Sequence, residues 1–336
     1  MAGSPSGGLE KKLGLFDVYA LATGATLSAG LFLLPGLAAG QAGPAVVLSY
    51  LLAAIPLVPA MLCTVELATA MPKAGGSYYF LERSLGPMLG TVGGFGTWLA
   101  LTLKTSFALV GLGAYVALFF EPAPWVMKLL AAGFAVAFGV LNALGSAKTG
   151  RFQQLLVIGL LAVLAVFLAG GVPQIELARF DGFFAKGSDA ILATAGLVYI
   201  SYVGVTKVAS VAEEVADPER NLPRGVFLSL ATALLVYVLA TVVMVGVLPL
   251  DALGADMTPM ASAAEVVGGR TGRLVVSIGA MLAFFSVANA GILAASRYPL
   301  AMGRDELVPP ALCKLDARSE EHTSELQSRQ YLVCRL

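Results

Sequence analysis

The sequence predicts an all-α integral membrane protein that crosses the bilayer about eight times. Of its 336 residues, 58% are hydrophobic and only 12% are charged, and the mean hydropathy is +0.84. A soluble domain carries about 25% charged residues, so this chain lacks the polar groups that a soluble surface needs. The charged residues also fall in clusters, and the apolar runs between them are long enough to span the hydrocarbon core, which takes about 20 residues.

The runs without Asp, Glu, Lys or Arg place the spans. The run from Val18 to Val65 is long enough for two helices, which turn at Gly40–Pro44. Lys104 alone interrupts the runs 84–103 and 105–120, so we interpret them as one helix with a buried lysine. The eight predicted spans are 14–39, 44–70, 88–118, 125–146, 151–171, 189–212, 223–249 and 272–299.

The loops and ends divide the chain into three parts. Lys and Arg are about twice as frequent on the side of the N-terminus, which places that side in the cytoplasm. Residues 1–13 are therefore predicted to be a cytoplasmic N-terminus and residues 14–318 the transmembrane domain. Residues 319–336 are polar and aperiodic, contain the only histidine and resemble a translated sequencing adapter. We interpret them as a non-native tail and assign no function to His322 or Cys334.

Several function classes are excluded by composition. The net charge is zero, which argues against a nucleic-acid partner. The three cysteines show no CxxC spacing, so neither a disulfide framework nor a metal site is expected. The membrane part contains no His/Asp/Ser set and no Gly-rich loop after a strand, so we expect no enzyme activity and no cofactor.

The first span contains the run GATLSAGLF, in which small and polar residues lie at mid-depth. A break at Ser28–Gly30 would free main-chain N–H groups at the positive end of a half-helix, and such irregular backbone survives in a bilayer only where it is buried in protein or lines a cavity. The alternative is a continuous helix in which Ala22, Ala25 and Ala29 form a close-packing stripe. Both interpretations are open from this span alone.

The sixth span contains a second candidate break in the run YISYVGVTK. Two interrupted helices, each the first in a block of five, indicate an inverted-repeat transporter. Half-helix ends suit a zwitterion, because N–H groups can bind its carboxylate and carbonyls its ammonium without a charged side chain in the membrane.

Four motifs occur in order and at sensible depths. Ser28–Pro35 is similar to GSGIF-x-x-P, with Ser and Ala in place of the first Gly and Ser. Glu66–Tyr78 matches E-x5-P-x-AGG-x-Y, Glu213–Arg224 matches EE-x2-NP-x-RN-x-P with Asp in place of the first Asn, and Ser296–Asp305 matches the end of helix 8. Over about residues 13–315 the chain thus resembles an amino acid permease of the amino acid–polyamine–organocation superfamily.

This resemblance implies the LeuT-type fold of 5+5 inverted repeats. The family has twelve helices, so eight helices would leave the second repeat incomplete. In the family the first break binds the substrate carboxylate, which assigns this role to the main-chain N–H groups of Ser28, Ala29 and Gly30.

The sixth span supplies the opposite end of the expected site. We expect the carbonyls of Tyr199, Ile200 and Ser201 to bind the substrate ammonium. Tyr202 is either an aromatic gate over the site or an ordinary packed residue with its hydroxyl hydrogen-bonded.

Three polar residues in other spans are candidates for coupling or gating. Lys104 lies at mid-depth, where a lysine costs about 2.5–3.5 kcal/mol, and its stem cannot reach an interface. We expect it to face the central cavity, where it would shape charge preference, replace a coupling cation or exchange a proton. Ser286 and Asn289 lie in the eighth span. Family members that use sodium bind it between helices 1 and 8, but we find no complete set of oxygens here and favour protons. Lys207 is expected to pair structurally with Glu213 or Glu214.

The sequence therefore predicts secondary active transport of amino acids across the cell membrane by alternating access, as proton-coupled symport or exchange. The expected partners are an amino acid, protons and the lipid bilayer, with no nucleic acid, and the oligomeric state is open. The alternative is a non-transporting membrane sensor or scaffold that reuses the fold.

Overall fold

The computed structural model describes residue 9 and residues 11–116, 118–119, 123–143 and 146–308. All regular structure in these ranges is helical apart from one isolated bridge between Leu13 and Val215, which confirms the predicted all-α class. The α-helices are α1 Leu15–Thr26, α2 Ala29–Phe32, α3 Leu34–Ala42, α4 Val46–Ala70, α5 Ser77–Leu85, α6 Pro87–Val116, α7 Pro124–Ala143, α8 Ser146–Gly171, α9 Gly187–Tyr202, α10 Pro218–Val247, α11 Leu250–Ala255 and α12 Pro259–Arg304. The 3₁₀ helices are Gly43–Ala45, Val172–Gln174, Leu177–Phe180 and Val203–Glu214.

Seven helical stretches in the described part of the chain are long and apolar enough to cross a membrane. They are Leu34–Ala70, Pro87–Gly113, Trp125–Ala143, Thr149–Gln174, Gly187–Glu214, Pro218–Val247 and Pro259–Arg304. The count differs from the predicted eight because the first predicted span is divided among α1, α2 and α3, of which the longest has 12 residues. The last predicted span lies within α12, which is kinked at Gly268 and Gly269.

The first loop after α4 contains an amphipathic helix, α5, that the sequence did not predict. Its start depends on Gly75 and Gly76, which have positive φ angles of 98° and 48°. A side chain is strained in this region of φ, and a methyl group on Gly75 would collide with Ala301. The AGG motif therefore marks a tight turn that packs against α12.

Asp217 explains a second motif in the same way. It precedes α10 with φ 46° and ψ 60°, the left-handed conformation that Asn and Asp adopt more readily than other residues with a side chain. The position where the family pattern has Asn is thus a turn that also accepts Asp.

The broken first helix lies at the centre of the bundle. α1 packs against α8, α10, α12 and the 3₁₀ segment Val203–Glu214, while α4 packs against α9 and α10. The largest apolar cluster includes Leu27, Leu31 and Phe32, which are fully buried around the break. The packing therefore encloses the irregular backbone in protein.

Some predicted parts lie outside the described residues. These are residues 1–8 and 10 of the N-terminal segment and the whole tail 319–336. Of the three cysteines, only Cys63 is within the described ranges, where it is exposed.

Candidate functional site

The predicted break in the first helix is confirmed. α1 ends, Leu27 is extended at φ −74° and ψ 94°, and α2 begins at Ala29. The Ser28 carbonyl accepts the N–H groups three and four residues further on, at 2.8 and 3.0 Å. The N–H groups of Ala29 and Gly30 therefore lie in the first turn of a helix, where no intrahelical acceptor is available.

A second interruption follows at Leu33, between α2 and α3. Pro35 lies in the first turn of α3 and Leu33 has φ −122° and ψ −46°. Proline donates no hydrogen bond and its ring clashes with the carbonyl four residues earlier, which favours an interruption at this point. The break is thus a short helix bounded on both sides.

The second predicted break takes a different form and a different position. α9 continues to Tyr202, so Tyr199, Ile200 and Ser201 lie in its last α-helical turn rather than in unwound chain. The next 12 residues, Val203–Glu214, are 3₁₀-helical with a kink at Val211, where φ is −108° and ψ is 15°. Uninterrupted 3₁₀ helices rarely exceed three or four residues. The β-branched residues of the VGVT run disfavour the α-helix, whereas the membrane requires that backbone hydrogen bonding continue. Tighter winding satisfies both conditions, which corrects the expectation of an unwound segment.

The two irregular segments contact each other directly. A methyl group on Gly30 would collide with the side chain of Ser201, and one on Gly204 would collide with the carbonyl of Ala25 and lie 2.6 Å from the Thr26 nitrogen. Glycine is therefore required on both sides of the contact. The structure brings together Gly30 and Ser201, two of the predicted site residues.

Three buried tyrosines, which sequence reasoning missed, donate to the carbonyls around the first break. Tyr50 Oη donates to Gly30 O at 2.7 Å, Tyr115 Oη to Phe32 O at 2.8 Å and Tyr237 Oη to Thr26 O at 2.9 Å. All three rings are fully buried. A tyrosine at mid-depth of an apolar span must find a buried partner for its hydroxyl, and that signal was present in spans 2, 3 and 7. These bonds satisfy carbonyls that the break frees.

Tyr202 is packed with its hydroxyl bonded in this conformation. Its Oη donates to the Tyr50 carbonyl at 3.1 Å, and its ring lies edge-on to Tyr237 with 4.9 Å between centroids. The Tyr237 ring in turn stacks on Tyr50 at 5.2 Å. Ser201 Oγ is buried beside Tyr50 and Tyr237 without a well-formed hydrogen bond. The core of the site is thus a tyrosine cluster around one unsatisfied serine hydroxyl.

Lys104 reaches the last turn of α9 from α6. Its Nζ donates to the Ile200 carbonyl at 3.4 Å, and the side chain is half-buried. The predicted ammonium-binding carbonyls therefore already have protein donors: Ile200 O has Lys104, and Ser201 O has Tyr237 Oη at 3.4 Å. Tyr199 is half-buried and packs against the main apolar cluster.

The expected pairing of Lys207 with the acidic pair is wrong. Glu213 pairs with Arg304 at 2.8 Å and Glu214 with Arg297 at 2.6 Å, because the end of α12 lies beside the end of the 3₁₀ segment. Lys207 Nζ instead is buried without a hydrogen-bond partner, at a small apolar cavity between α1, the 3₁₀ segment and α12. Glu213, Glu214, Arg297 and Arg304 are called the charge cluster below.

The charge cluster fastens four parts of the chain at one end of the bundle. Glu213 also accepts the main-chain N–H groups of Leu9 and Ala74, each at 2.9 Å. Nearby, Tyr78 donates to Asp305 at 2.8 Å. Burial, followed by this hydrogen bond, raises the pKa of the Tyr78 phenol. The hydrogen bond from Tyr78 ties α5 to the end of α12.

Ser286 and Asn289 belong to a separate buried network. Gln153 Nε2 donates to Ser286 Oγ at 2.6 Å and to Ala20 O at 3.4 Å, and Asn289 Nδ2 donates to Gln153 Oε1 at 2.9 Å. Asn142 Nδ2 donates to Asn289 Oδ1 at 3.1 Å. The sequence analysis missed Gln153 and Asn142, whose partners lie on other helices. Neutral amides thus join α1, α7, α8 and α12 around Ser286 and Asn289, the two residues at which a sodium site was considered from the sequence.

Seven apolar helices, a central broken helix and a buried polar break define a multi-pass integral membrane protein of the transporter class. The chain belongs to the amino acid permease family, whose model, described as "Amino acid permease", matches residues 13–321. It is 28% identical to a branched-chain amino acid permease, BcaP, of Bacillus subtilis, over 91% of this chain and 70% of the relative. It is 27% identical to the methylthioribose transporter of the same organism, over 94% and 72%. The vacuolar cationic amino acid transporter 4 of Arabidopsis thaliana is 28% identical, over 93% of this chain and 56% of the relative. The predicted family is confirmed.

Proposed function

We propose that this chain carries out secondary active transport of amino acids by alternating access. The observation that supports this most strongly is the direct contact between the two irregular segments, at Gly30 with Ser201 and at Gly204 with Ala25. Broken helices are tolerated inside a bilayer only where the irregular backbone is buried in protein or lines a cavity, and in transporters such helices form the substrate site. The similarity to amino acid permeases indicates an amino acid as the substrate.

The two ends of an α-amino acid fit the two sides of this contact. The carboxylate binds the N–H groups of Ser28, Ala29 and Gly30 at the start of α2, where the helix dipole is favourable. The ammonium binds carbonyls at the end of α9, with Ser201 as the nearest to the break. Because these contacts involve main-chain groups, they select the α-amino acid unit and leave side-chain preference to other residues.

Protons are the proposed coupling ion, in symport or in exchange. Two observations support them over sodium. Ser286 Oγ and Asn289 Oδ1 are engaged by amide donors, and Lys104 already places a cation on the Ile200 carbonyl. Lys104 thereby substitutes for a bound metal cation at the second segment.

The conformation supports alternating access because one end of the bundle is closed. The charge cluster joins the N-terminal segment, the turn before α5, the 3₁₀ segment and the end of α12. We assign this end to the cytoplasm of the cell membrane, on the basis of the Lys and Arg bias of the loops. Opening then requires these ion pairs to separate.

The proposal is tested by reconstituting the chain in proteoliposomes and measuring both binding and uptake of radiolabelled amino acids. Accumulation driven by an inward pH gradient is expected. A matched pair in one candidate span, Gly187–Glu214, tests the site. Gly204→Ala introduces a methyl group against Ala25, whereas Gly196→Ala on α9 has open space around it. Gly196→Ala should retain uptake and Gly204→Ala should lose it. Binding without flux would instead support a sensor or scaffold, and neither binding nor flux would contradict the proposal.

A further inference from the structure

Tyr237 is the one described side chain whose hydroxyl lies within hydrogen-bond distance of main-chain carbonyls next to both irregular segments. Its Oη lies 2.9 Å from Thr26 O, at the end of α1, and 3.4 Å from Ser201 O, in the last turn of α9. A phenol carries a single proton, so it makes one full hydrogen bond and at most a weak second one. The distances show that the stronger bond goes to Thr26.

The hydroxyl cannot exchange either partner for water in this conformation. The Tyr237 ring is fully buried, stacked on Tyr50 and edge-on to Tyr202. A methyl group on Gly30 would lie 2.7 Å from the hydroxyl oxygen, so the main chain closes the remaining side. The ring is therefore held in place while its proton has two acceptors to choose from.

One phenol proton therefore serves two carbonyls, Thr26 O and Ser201 O. The longer distance gives Ser201 O the weaker of the two bonds. A primary ammonium carries three N–H donors and can serve both carbonyls without dividing one proton between them.

We propose that Tyr237 is a positioning residue that competes with the substrate ammonium for the Ser201 carbonyl. In the closed, substrate-free conformation its hydroxyl holds the carbonyl of Thr26 and approaches that of Ser201. When an ammonium binds at Ser201, the hydroxyl keeps Thr26 O satisfied, and when the ammonium leaves, the hydroxyl again serves both. The competition weakens binding and favours release. This inference rests on the proposed amino acid site.

Tyr237→Phe removes the competing proton and keeps the ring. The ammonium then meets no competing donor at the Ser201 carbonyl, so we expect the KM for amino acid uptake to fall about tenfold, which corresponds to about 1.4 kcal/mol, and kcat to fall as release slows. A purely structural role would give the opposite change in KM. Tyr237→Met, which also lacks the hydroxyl but repacks flexibly, should shift KM in the same direction.

The matched control is Tyr19→Phe. Tyr19 joins α1 to α10 through a hydroxyl contact with Thr232 at 3.1 Å, away from both irregular segments. The Tyr19→Phe substitution removes a phenol proton between the same two helices, α1 and α10, and should leave KM and kcat unchanged.

The experiment measures binding and uptake of each of the twenty radiolabelled proteinogenic amino acids by wild-type and variant proteoliposomes. The 2-hydroxy acid analogue of the best-bound amino acid serves as a probe without an ammonium. Tighter amino acid binding by Tyr237→Phe, with unchanged binding of the hydroxy acid, supports the proposal. Weaker or unchanged amino acid binding by both folded Tyr237 variants overturns it. If the wild type binds none of the twenty, the proposed function itself fails, which is a distinct result.

Discussion

Gly204, in the 3₁₀ segment, packs its main chain directly against the carbonyl group of Ala25 at the end of α1. The contact leaves no space for a Cβ atom on Gly204. It brings the end of α1, where the first helix breaks, against the start of the 3₁₀ segment. The geometry of the proposed site therefore depends on a residue without a side chain.

Replacing this glycine should be costly. We expect Gly204→Ala to destabilise the protein by about 1–3 kcal/mol, as other overpacked positions do. Gly196→Ala, in open space on α9, should stabilise it by up to about 1 kcal/mol because alanine favours the helix. Thermal unfolding in detergent measures both. Equal stability of the two variants would show that the close contact is absent.

The charge cluster should be far more sensitive than an exposed ion pair. Glu213 is 5% exposed and accepts from Leu9, Ala74 and Arg304, so Glu213→Gln should cost about 2–3 kcal/mol. The control is Glu265→Gln, because Glu265 and its partner Arg273 are both more than a third exposed, and such pairs contribute little. Their unfolding temperatures should differ clearly. A cost at Glu265 as large as that at Glu213 would contradict the assignment.

Lys207 offers the opposite test, since removing it should stabilise the protein. Its Nζ is buried without a hydrogen-bond partner, and replacing an unpartnered buried amine with a hydrophobic side chain of similar size is favourable by about 1–3 kcal/mol. Lys207→Met should raise the unfolding temperature, whereas Lys128→Met, at an exposed lysine, should not. A lower unfolding temperature for Lys207→Met would mean that the ammonium has a stabilising partner.

The amide network should make the protein indifferent to sodium. A bound cation stabilises the state that binds it, but the oxygens of Ser286 and Asn289 are already engaged by Gln153 and Asn142. The unfolding temperature should be the same in NaCl and in equimolar KCl. Specific stabilisation by NaCl would contradict the preference for protons.

Gln153→Leu should destabilise the protein by about 2–4 kcal/mol, because three partner groups lose a hydrogen bond.

The sequence predicted the membrane class and the first break because these depend on local composition. Long uncharged runs require spanning helices, and the small, polar run around Ser28 favours a break. The form of the second segment was not predicted, because a β-branched run that disfavours the α-helix does not by itself distinguish an unwound chain from tighter 3₁₀ winding. The tyrosines illustrate the same limit, since the acceptors of Tyr50, Tyr115 and Tyr237 lie 20, 83 and 211 positions away. The surroundings of Lys207 and the hydrogen-bond partners of Gln153 likewise depend on which helices become neighbours.

The most direct test of the central claim, that the two irregular segments form the amino acid site, is the protection of a thiol placed between them. Ser201→Cys is introduced after Cys63, Cys313 and Cys334 are replaced by alanine, and its modification by a maleimide is followed in membrane vesicles. The matched control is Ser188→Cys, at an exposed position on the same helix. The account predicts that a transported amino acid slows modification at position 201 and leaves the rate at position 188 unchanged. Equal rates at position 201 with and without every amino acid tested would contradict it.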